Sequence, residues 1–272
     1  MGLEQVFAEL GLRVNVSIVI LTVALLMARV LPIITLSPFL GGDLLPTEVK
    51  IGLGLALCLL LFPAVSDQMP RIPTGALAYI SLLAKELFIG FTLSFVTDMV
   101  FQAAQVAGHV ADTMSGASNA QIMVPQSGHQ VTLFSSLKMQ LAVVLFLTLN
   151  GHHLVIAALA DSLQMIPLDK FPAFHAGLWP FFELMIRVFA ELLKVSLALA
   201  GPAFLASFLT DLTLGMINRV APQVQVYFIS MQIKPMVVTL MILVSIHLII
   251  TRLQVEFRHM FYLLERTLQL LS

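Results

Sequence analysis

The chain has 272 residues, of which 59% are hydrophobic and only 11% are charged. Soluble domains carry about 25% charged residues, so this composition excludes an ordinary soluble domain and indicates a membrane protein. The net charge of −1 gives no indication of nucleic acid as a partner. A single cysteine, Cys58, excludes a disulfide within the chain.

Six apolar segments reach the length of about 20 residues that a membrane-spanning helix needs. In chain order they are residues 14–36, 49–66, 76–101, 131–160, 178–209 and 226–250. Several contain prolines or charges, and the backbone groups that a proline frees must be satisfied by neighbouring helices. We therefore predict an all-α polytopic membrane protein. Its helices form hairpins of one domain, residues 1–272, inside a larger helical assembly.

Charged residues stand inside the first and third segments. Arg29 lies in the first, and Lys85, Glu86 and Asp98 lie in the third. Ionised groups inside membranes are rare, face protein or water, and are functional candidates by default. We interpret these four as buried charges for subunit packing. The alternative is a proton route through Glu86, Asp98 and His247, the last of which lies in the sixth segment.

The connection from about residue 108 to 130 is the most unusual one. It lacks lysine and arginine but contains the apolar residues Met114, Ile122, Met123 and Val124. Loops longer than about 12–15 residues are usually functional or disordered. Flexible thioethers fill irregular gaps well. We therefore predict a functional loop with the character of a deformable plug.

Two adjacent histidines, His152 and His153, follow Asn150-Gly151. Adjacent residues point about 100° apart on a helix, and the nearest following carboxylate is Asp161. Zinc sites need ligands that converge on one point. The spacing therefore favours histidines at a helix end over metal ligands, and we predict no metal or other cofactor.

Four charges alternate in sign along the fifth segment: Glu183, Arg187, Glu191 and Lys194. At about 100° per residue they point at 0°, 40°, 80° and 20°, and therefore share one helix face. An ionised group that faces lipid costs at least about 2.5–3.5 kcal/mol. We predict that this charge ladder is buried against partner subunits.

The sequence contains none of the short motifs typical of enzymes. It has no phosphate-binding G-x-x-x-x-G-K-[ST], no H-E-x-x-H, no G-x-S-x-G and no C-x-x-C. We therefore predict that the protein is not an enzyme.

Taken together, several segments resemble the FliR/SctT family, which supplies export-apparatus proteins of bacterial type III secretion systems. The matching segments are RVLP at 29–32, PFLG at 38–41, KIGL at 50–53, KE at 85–86, the loop from Gly116 to Gly128 with Pro125, LTLNGHH at 147–153, and LGMINRVAPQ at 214–223. The last segment is the strongest match and contains Asn218, Arg219 and Pro222. The order and spacing of the segments over about residues 25–240 carry the resemblance.

The resemblance implies one subunit of an export gate, located in the bacterial inner membrane within the secretion-system base. Its partners would be FliP/SctR-like, FliQ/SctS-like and FlhB/SctU-like subunits, and the gate would pass unfolded proteins. It also implies that the loop after the third apolar helix is the pore plug. Met123, Val124 and Pro125 are then the candidates for contact with the lumen.

The branch of the family rests on smaller differences. Lys234 and the RVLP and PFLG segments favour the virulence type (SctT), whereas NGHH favours the flagellar type (FliR). We predict the virulence type. The alternative function is a proton-coupled secondary transporter acting alone. Such transporters usually have repeated halves with matched interruptions, which the positions of Pro32 and Pro202 do not show.

Overall fold

The computed structural model describes residues 16–40, 42, 45–65, 75–116, 122–123, 130–174 and 177–272. Within these ranges the chain is almost entirely helical, with one pair of two-residue strands. The elements are α1 (Val16–Leu36), a 3-10 turn (Pro38–Leu40), α2 (Thr47–Val65), α3 (Ala76–Ser115), β1 (Ile122–Met123), β2 (Gln130–Val131), α4 (Leu133–Thr148), α5 (Gly151–Met165), α6 (Leu178–Val220) and α7 (Val226–Leu271).

Five of these helices are long and apolar enough to cross a membrane, by length and composition. They are α1, α2, α3, α6 and α7. A sixth span results if α4 and α5, which are bent by 71° at a short break, are counted together. The predicted all-α polytopic class is therefore confirmed.

The fourth predicted apolar segment, residues 131–160, contains two helices, α4 and α5, rather than one continuous helix. Asn150 adopts a left-handed φ of 57°, a conformation in which asparagine is several-fold enriched. Its N–H donates to Leu147 O at 3.0 Å, which closes α4. A Cβ at Gly151 would lie 2.3 Å from the ring of Phe146, so only glycine fits there. The two histidines then stand in the first turn of α5, as expected for a helix end.

Three predicted helix ends were too early. The third helix continues past residue 101 to Ser115, so the loop does not begin at 108. The reason is that polar residues follow residue 101 and lower the hydropathy, although the helix continues through Ala103, Ala104, Ala107 and Ala111, which are fully or almost fully buried. The helices α6 and α7 likewise continue past residues 209 and 250, to Val220 and Leu271. Their last turns mix polar and apolar residues, so the apolar pattern ends before the helix does.

The described residues belong to two compact units, each discontinuous in sequence. One draws on Met1–Thr97, His152–Leu184 and Tyr262–Ser272, and the other on Asp98–Gly151 and Met185–Phe261. The organisation of the whole chain as one membrane domain stays a prediction.

Both units have apolar cores. The core of the first includes Leu25, Leu26, Ile89 and Leu93, each 0–2% exposed. In the second, the rings of Phe101, Phe146 and Phe257 have centroids 5.1–5.3 Å apart. Such tilted and edge-on pairs add attraction beyond the burial of their area.

Candidate functional site

The first unit contains a buried charge cluster formed by Arg29, Lys85 and Glu86. Their side chains are at most 2% exposed. Arg29 Nε donates to Glu86 Oε2, and Lys85 Nζ lies 2.5 Å from Glu86 Oε1. Both carboxylate oxygens of Glu86 are therefore matched by a cation. The cluster joins α1 to α3 at a point 57 residues apart in sequence.

The remaining donors of Arg29 reach α5 and its end. Nη1 donates to Ser162 O at 2.8 Å and to Ser162 Oγ at 3.2 Å, and Nη2 donates to Ile166 O at 2.9 Å. A guanidinium presents five donors in a fixed planar fork, which suits it to several acceptors at once. Arg29 therefore ties three helices together with one side chain.

The ammonium of Lys85 is held by the segment that follows α5. It donates to the carbonyl oxygens of Pro167, Leu168 and Lys170 at 3.0, 3.1 and 2.9 Å. Buried charges are tolerated only where good geometry and further hydrogen bonds offset their desolvation. The carbonyl oxygens accept those hydrogen bonds. The cluster is therefore an ion network within the chain that holds the packed helices together.

The residues of the alternative proton route have different surroundings. Glu86 is already bound by two cations in the first unit. Asp98 and His247 belong to the second unit, where Asp98 is half-buried and accepts from Gln102 Nε2 at 2.8 Å, while His247 is exposed. These surroundings give no support to a transporter that acts alone.

The second unit contains an unusual helix start at the end of the predicted plug. Thr132 occupies the N-cap of α4 but makes no side-chain capping bond. Instead, the carboxylate of Asp112 in α3 accepts the N–H groups of Phe134 and Ser135, both at 3.0 Å. Asp112 is 1% exposed. A residue of the preceding helix therefore caps α4. Its negative charge also interacts favourably with the positive end of the α4 helix dipole.

A buried lysine completes this structure. Lys138 is 1% exposed, and its Nζ donates to Ala107 O at 3.2 Å and to Leu199 O at 3.0 Å. The same amine interacts electrostatically with Asp112. Ser207 Oγ donates to Met114 O at 2.7 Å. We call these residues the loop base: Asp112, Met114, Phe134, Ser135, Lys138 and Ser207.

Of the predicted plug residues, the structure describes Met114 and the backbone of Ile122 and Met123. Met114 is in the last turn of α3 and is 40% exposed. The backbone of Ile122 and Met123 forms β1, which pairs antiparallel with β2 in the register Ile122↔Val131 and Met123↔Gln130. Val124 and Pro125 lie outside the described residues. Their contact with a lumen stays a prediction.

The charge ladder is largely exposed within the single chain. Glu183, Arg187 and Lys194 are exposed and Glu191 is partly buried. Lys194 Nζ lies 3.3 Å from Glu191 Oε1, where the two side chains are 67% and 30% exposed. Burial of this ladder in subunit contacts stays a prediction, because it requires partners.

The strongest sequence segment lies at the end of α6 and in the turn that follows it. Asn218, Arg219 and Pro222 are all exposed, with Arg219 in the last turn of the helix. In the same hairpin, Lys234 Nζ lies 2.5 Å from Asp211 Oδ1, which joins α6 to α7 within the second unit.

Sequence reasoning singled out Met114 but missed the other residues of the loop base, which are Asp112, Phe134, Ser135, Lys138 and Ser207. Lys138 stands in an apolar segment, and an ionisable group there is itself a signal. Asp112 gave a weaker signal, because it was assigned to a loop. No sequence pattern indicates the carbonyl oxygens that bind Lys85, since any residue type can supply a backbone carbonyl.

These features define the class of the protein. It is a polytopic helical membrane protein whose helix crossings are held by buried charges, and no catalytic motif appears in its sequence. Residues 20–260 match the family described as bacterial export proteins, family 1, and the chain belongs to this family. The assignment to FliR/SctT proteins is thereby confirmed.

Relatives come from both branches of the family. The chain is 28% identical to the flagellar biosynthetic protein FliR of Bacillus subtilis, over 78% of this chain and 81% of that protein. It is 28% identical to the Yop proteins translocation protein T of Yersinia pestis, over 83% and 85%. The value is also 28% for the secretion system apparatus protein SsaT of Salmonella typhimurium, over 86% and 89%. These identities do not separate the flagellar from the virulence branch.

Proposed function

We propose that this protein is a non-enzymatic subunit of a type III secretion export gate in the bacterial inner membrane. With FliP-like and FliQ-like partners, and next to an FlhB-like subunit, it encloses a pore for unfolded proteins. The family match and the names of the relatives support export as the activity. The five or six apolar spans support a place in the membrane.

The observation that carries the pore assembly is the surface of α6. Its exposed face has large apolar residues, such as Ile186 at 64% and Leu197 at 68% exposure. The charge ladder stands among them, with Arg187 and Lys194 exposed. Lipid can cover the apolar residues, but a charged side chain that faces lipid costs free energy. Partner subunits can cover the apolar residues and also bind the charges, so we assign this face to subunit contacts.

The same reasoning applies to α7. Only 17% of its most apolar 18-residue stretch is buried within the chain. Leu240, Leu243, Val244 and Leu248 are each 62–72% exposed. A face of this size must be covered by lipid or by other subunits, and membership of a family of export proteins favours other subunits.

Removing one member of the ladder tests the subunit contacts. Glu191→Gln and Arg187→Leu are expected to reduce co-purification of the FliP-like and FliQ-like subunits, because each leaves an opposite charge uncompensated in a desolvated contact. Glu48→Gln serves as the control, since Glu48 is exposed in the first turn of α2. Equal complex yield in all three variants would contradict burial of the ladder.

We further propose that the segment between α3 and α4 is the plug of this pore. A closed gate must hold back ions and still widen for a polypeptide, which soft apolar side chains allow by packing and dewetting. Met123 and Val124 have the required chemistry. The support from the structure is that both ends of the segment are fixed by the loop base.

Replacing residues 117–129 by a glycine-serine linker of equal length tests the plug. Each apolar side chain withdrawn from a packed contact removes about 1.5–3 kcal/mol of burial. Ion leakage through the assembled complex is therefore expected to rise by at least about tenfold for loss of one such contact. Complex yield is the control. Unchanged leakage with intact assembly would refute the plug.

For the branch, we propose the virulence type on the basis of Lys234. Its ion pair with Asp211 gives this lysine a structural role in the α6–α7 hairpin. The neighbouring reading frames decide this point: frames for needle components support it, and frames for filament components contradict it.

A further inference from the structure

We infer that the oxygen atoms around the ammonium group of Lys85 form a binding site for a monovalent cation, which the protein fills with its own side chain. The ammonium group is in effect a tethered ion. A free ammonium or potassium ion should therefore take its place when the side chain is shortened. This inference concerns the first unit alone and does not depend on the proposed function.

The first step is the set of oxygen atoms around Lys85 Nζ. Three of them are the backbone carbonyl oxygens of Pro167, Leu168 and Lys170, at 3.0, 3.1 and 2.9 Å. The fourth is Glu86 Oε1, at 2.5 Å. Carbonyl and carboxylate oxygens replace the hydration shell of bound metal cations in proteins. An ammonium group has only three protons to donate, so four oxygens suit a spherical cation as well as they suit lysine.

The second step is the origin of the three carbonyl oxygens in one turn of the chain. The turn follows α5 directly, and it is closed by the N–H of Lys170, which donates to Pro167 O at 3.2 Å. Buried carbonyl oxygens outside a helix or sheet still need partners. Leu168 is fully buried, and the cation provides its carbonyl oxygen with a partner. The bound cation therefore holds this turn against α3.

The third step is the balance of charge around the site. Glu86 and Asp169 bring two negative charges, and Arg29 and Lys85 bring two positive ones. Asp169 interacts electrostatically with Lys85, and its Oδ1 is buried without a hydrogen-bond partner among the described residues. Without the charge of Lys85 the cluster has a net charge of −1. An uncompensated buried charge is costly, so the cluster then attracts a cation.

Lys138 is a second buried lysine, and it has different surroundings. It is 1% exposed, compared with 5% for Lys85. Its Nζ donates to two carbonyl oxygens, Ala107 O at 3.2 Å and Leu199 O at 3.0 Å. Both lie inside helices, where a carbonyl oxygen already accepts an N–H of its own helix. Two shared oxygens do not form a cage for a free ion, so this lysine provides a matched comparison.

Tryptic cleavage after Lys170 measures whether the site is filled. The side chain of Lys170 is exposed, whereas its carbonyl group, which trypsin attacks, accepts a hydrogen bond from Lys85 Nζ. Cleavage of a locally opened segment follows the population of the open form. Cleavage after Lys194, which is exposed inside α6, is the internal control for trypsin activity and general unfolding. The full chain is purified in detergent and tetramethylammonium chloride, because the methyl groups keep that cation away from the oxygens.

Lys85→Met is the test variant. Methionine keeps a flexible apolar stem but is one atom shorter than lysine and uncharged, so the position of Nζ is left open. In tetramethylammonium chloride, cleavage after Lys170 is expected to rise at least about tenfold over the parent, as for loss of one hydrogen bond from a charged donor. Ammonium or potassium chloride at equal ionic strength is expected to reverse most of this rise. In Lys138→Met, neither salt is expected to change the cleavage after Lys170.

Four results would overturn the inference. They are an unchanged cleavage rate in Lys85→Met, a rise that neither ammonium nor potassium chloride reverses, an equal reversal by additional tetramethylammonium chloride, and an equal protection of Lys138→Met. If Lys85→Met is not recovered as a folded chain, its yield from membranes solubilised in each salt decides. A higher yield in ammonium or potassium chloride than in tetramethylammonium chloride supports the site, and equal yields overturn it.

Discussion

Arg29→Leu is expected to lower the stability of the first unit by about 3–5 kcal/mol, the usual cost of breaking a buried ion pair from one side. Arg29 is fully buried, and its loss leaves Glu86 with Lys85 as its one remaining cation partner among the described residues. The carbonyl oxygens of Ser162 and Ile166 lose their side-chain donors as well. The measurements are the thermal unfolding midpoint in detergent and the yield of folded chain from membranes.

Two further variants locate the origin of that loss. Arg29→Lys keeps the charge but cannot present a planar fork, so an intermediate loss is expected. Arg258→Leu is the matched control, because Arg258 is exposed. Equal midpoints for Arg29→Leu and Arg258→Leu would show that the cluster contributes nothing to stability.

Sequence reasoning selected the members of the charge cluster but not their partners. Arg29, Lys85 and Glu86 were conspicuous because charges are rare in apolar segments. Nothing in the sequence related position 29 to position 86, or position 85 to the turn after α5. Those links depend on the crossing of helices, which local periodicity does not describe.

The apolar spans were predictable from the sequence, and the limits of the helices were not. Apolar length identified five spans correctly, because hydropathy is a property of the segment itself. The break at Asn150 depended on one left-handed residue and on a glycine that a phenylalanine ring requires. The sequence Asn-Gly signalled a turn, but the apolar residues on both sides outweighed it.

The predicted plug shows the same contrast between features that composition indicates and features that depend on tertiary contacts. Its predicted position rests on composition, since a long loop without lysine or arginine but with methionines is unusual. Its base did not follow, because Asp112 caps a helix other than its own. A capping residue is normally sought just before the helix that it caps.

Gly90→Ala is expected to destabilise the first unit by about 1–3 kcal/mol, the typical cost of overpacking. A Cβ at position 90 would lie 2.4 Å from the carbonyl oxygen of Arg29 and 3.1 Å from Pro32 Cγ. Since the nearest atom is backbone, no rotamer change relieves the clash, and α1 must move away from α3. Ser94 Oγ, which donates to Pro32 O at 3.1 Å, loses its acceptor with that movement.

Gly52→Ala is the matched control for this prediction. It lies inside α2, and no atom outside its own helix and its chain neighbours is within 4 Å of an added Cβ. Alanine is favoured over glycine in a helix interior by about 0.5–1 kcal/mol, so this variant should be neutral or more stable. Unfolding midpoints of both variants, compared with the parent, give the sign of each stability change directly.

Because the clash at Gly90 is with the backbone of Arg29, Gly90→Ala combined with Arg29→Leu should lower the stability by less than the sum of the two single changes. Additive costs would mean that the helix crossing and the charge cluster are independent, whereas the structure places them on the same residue.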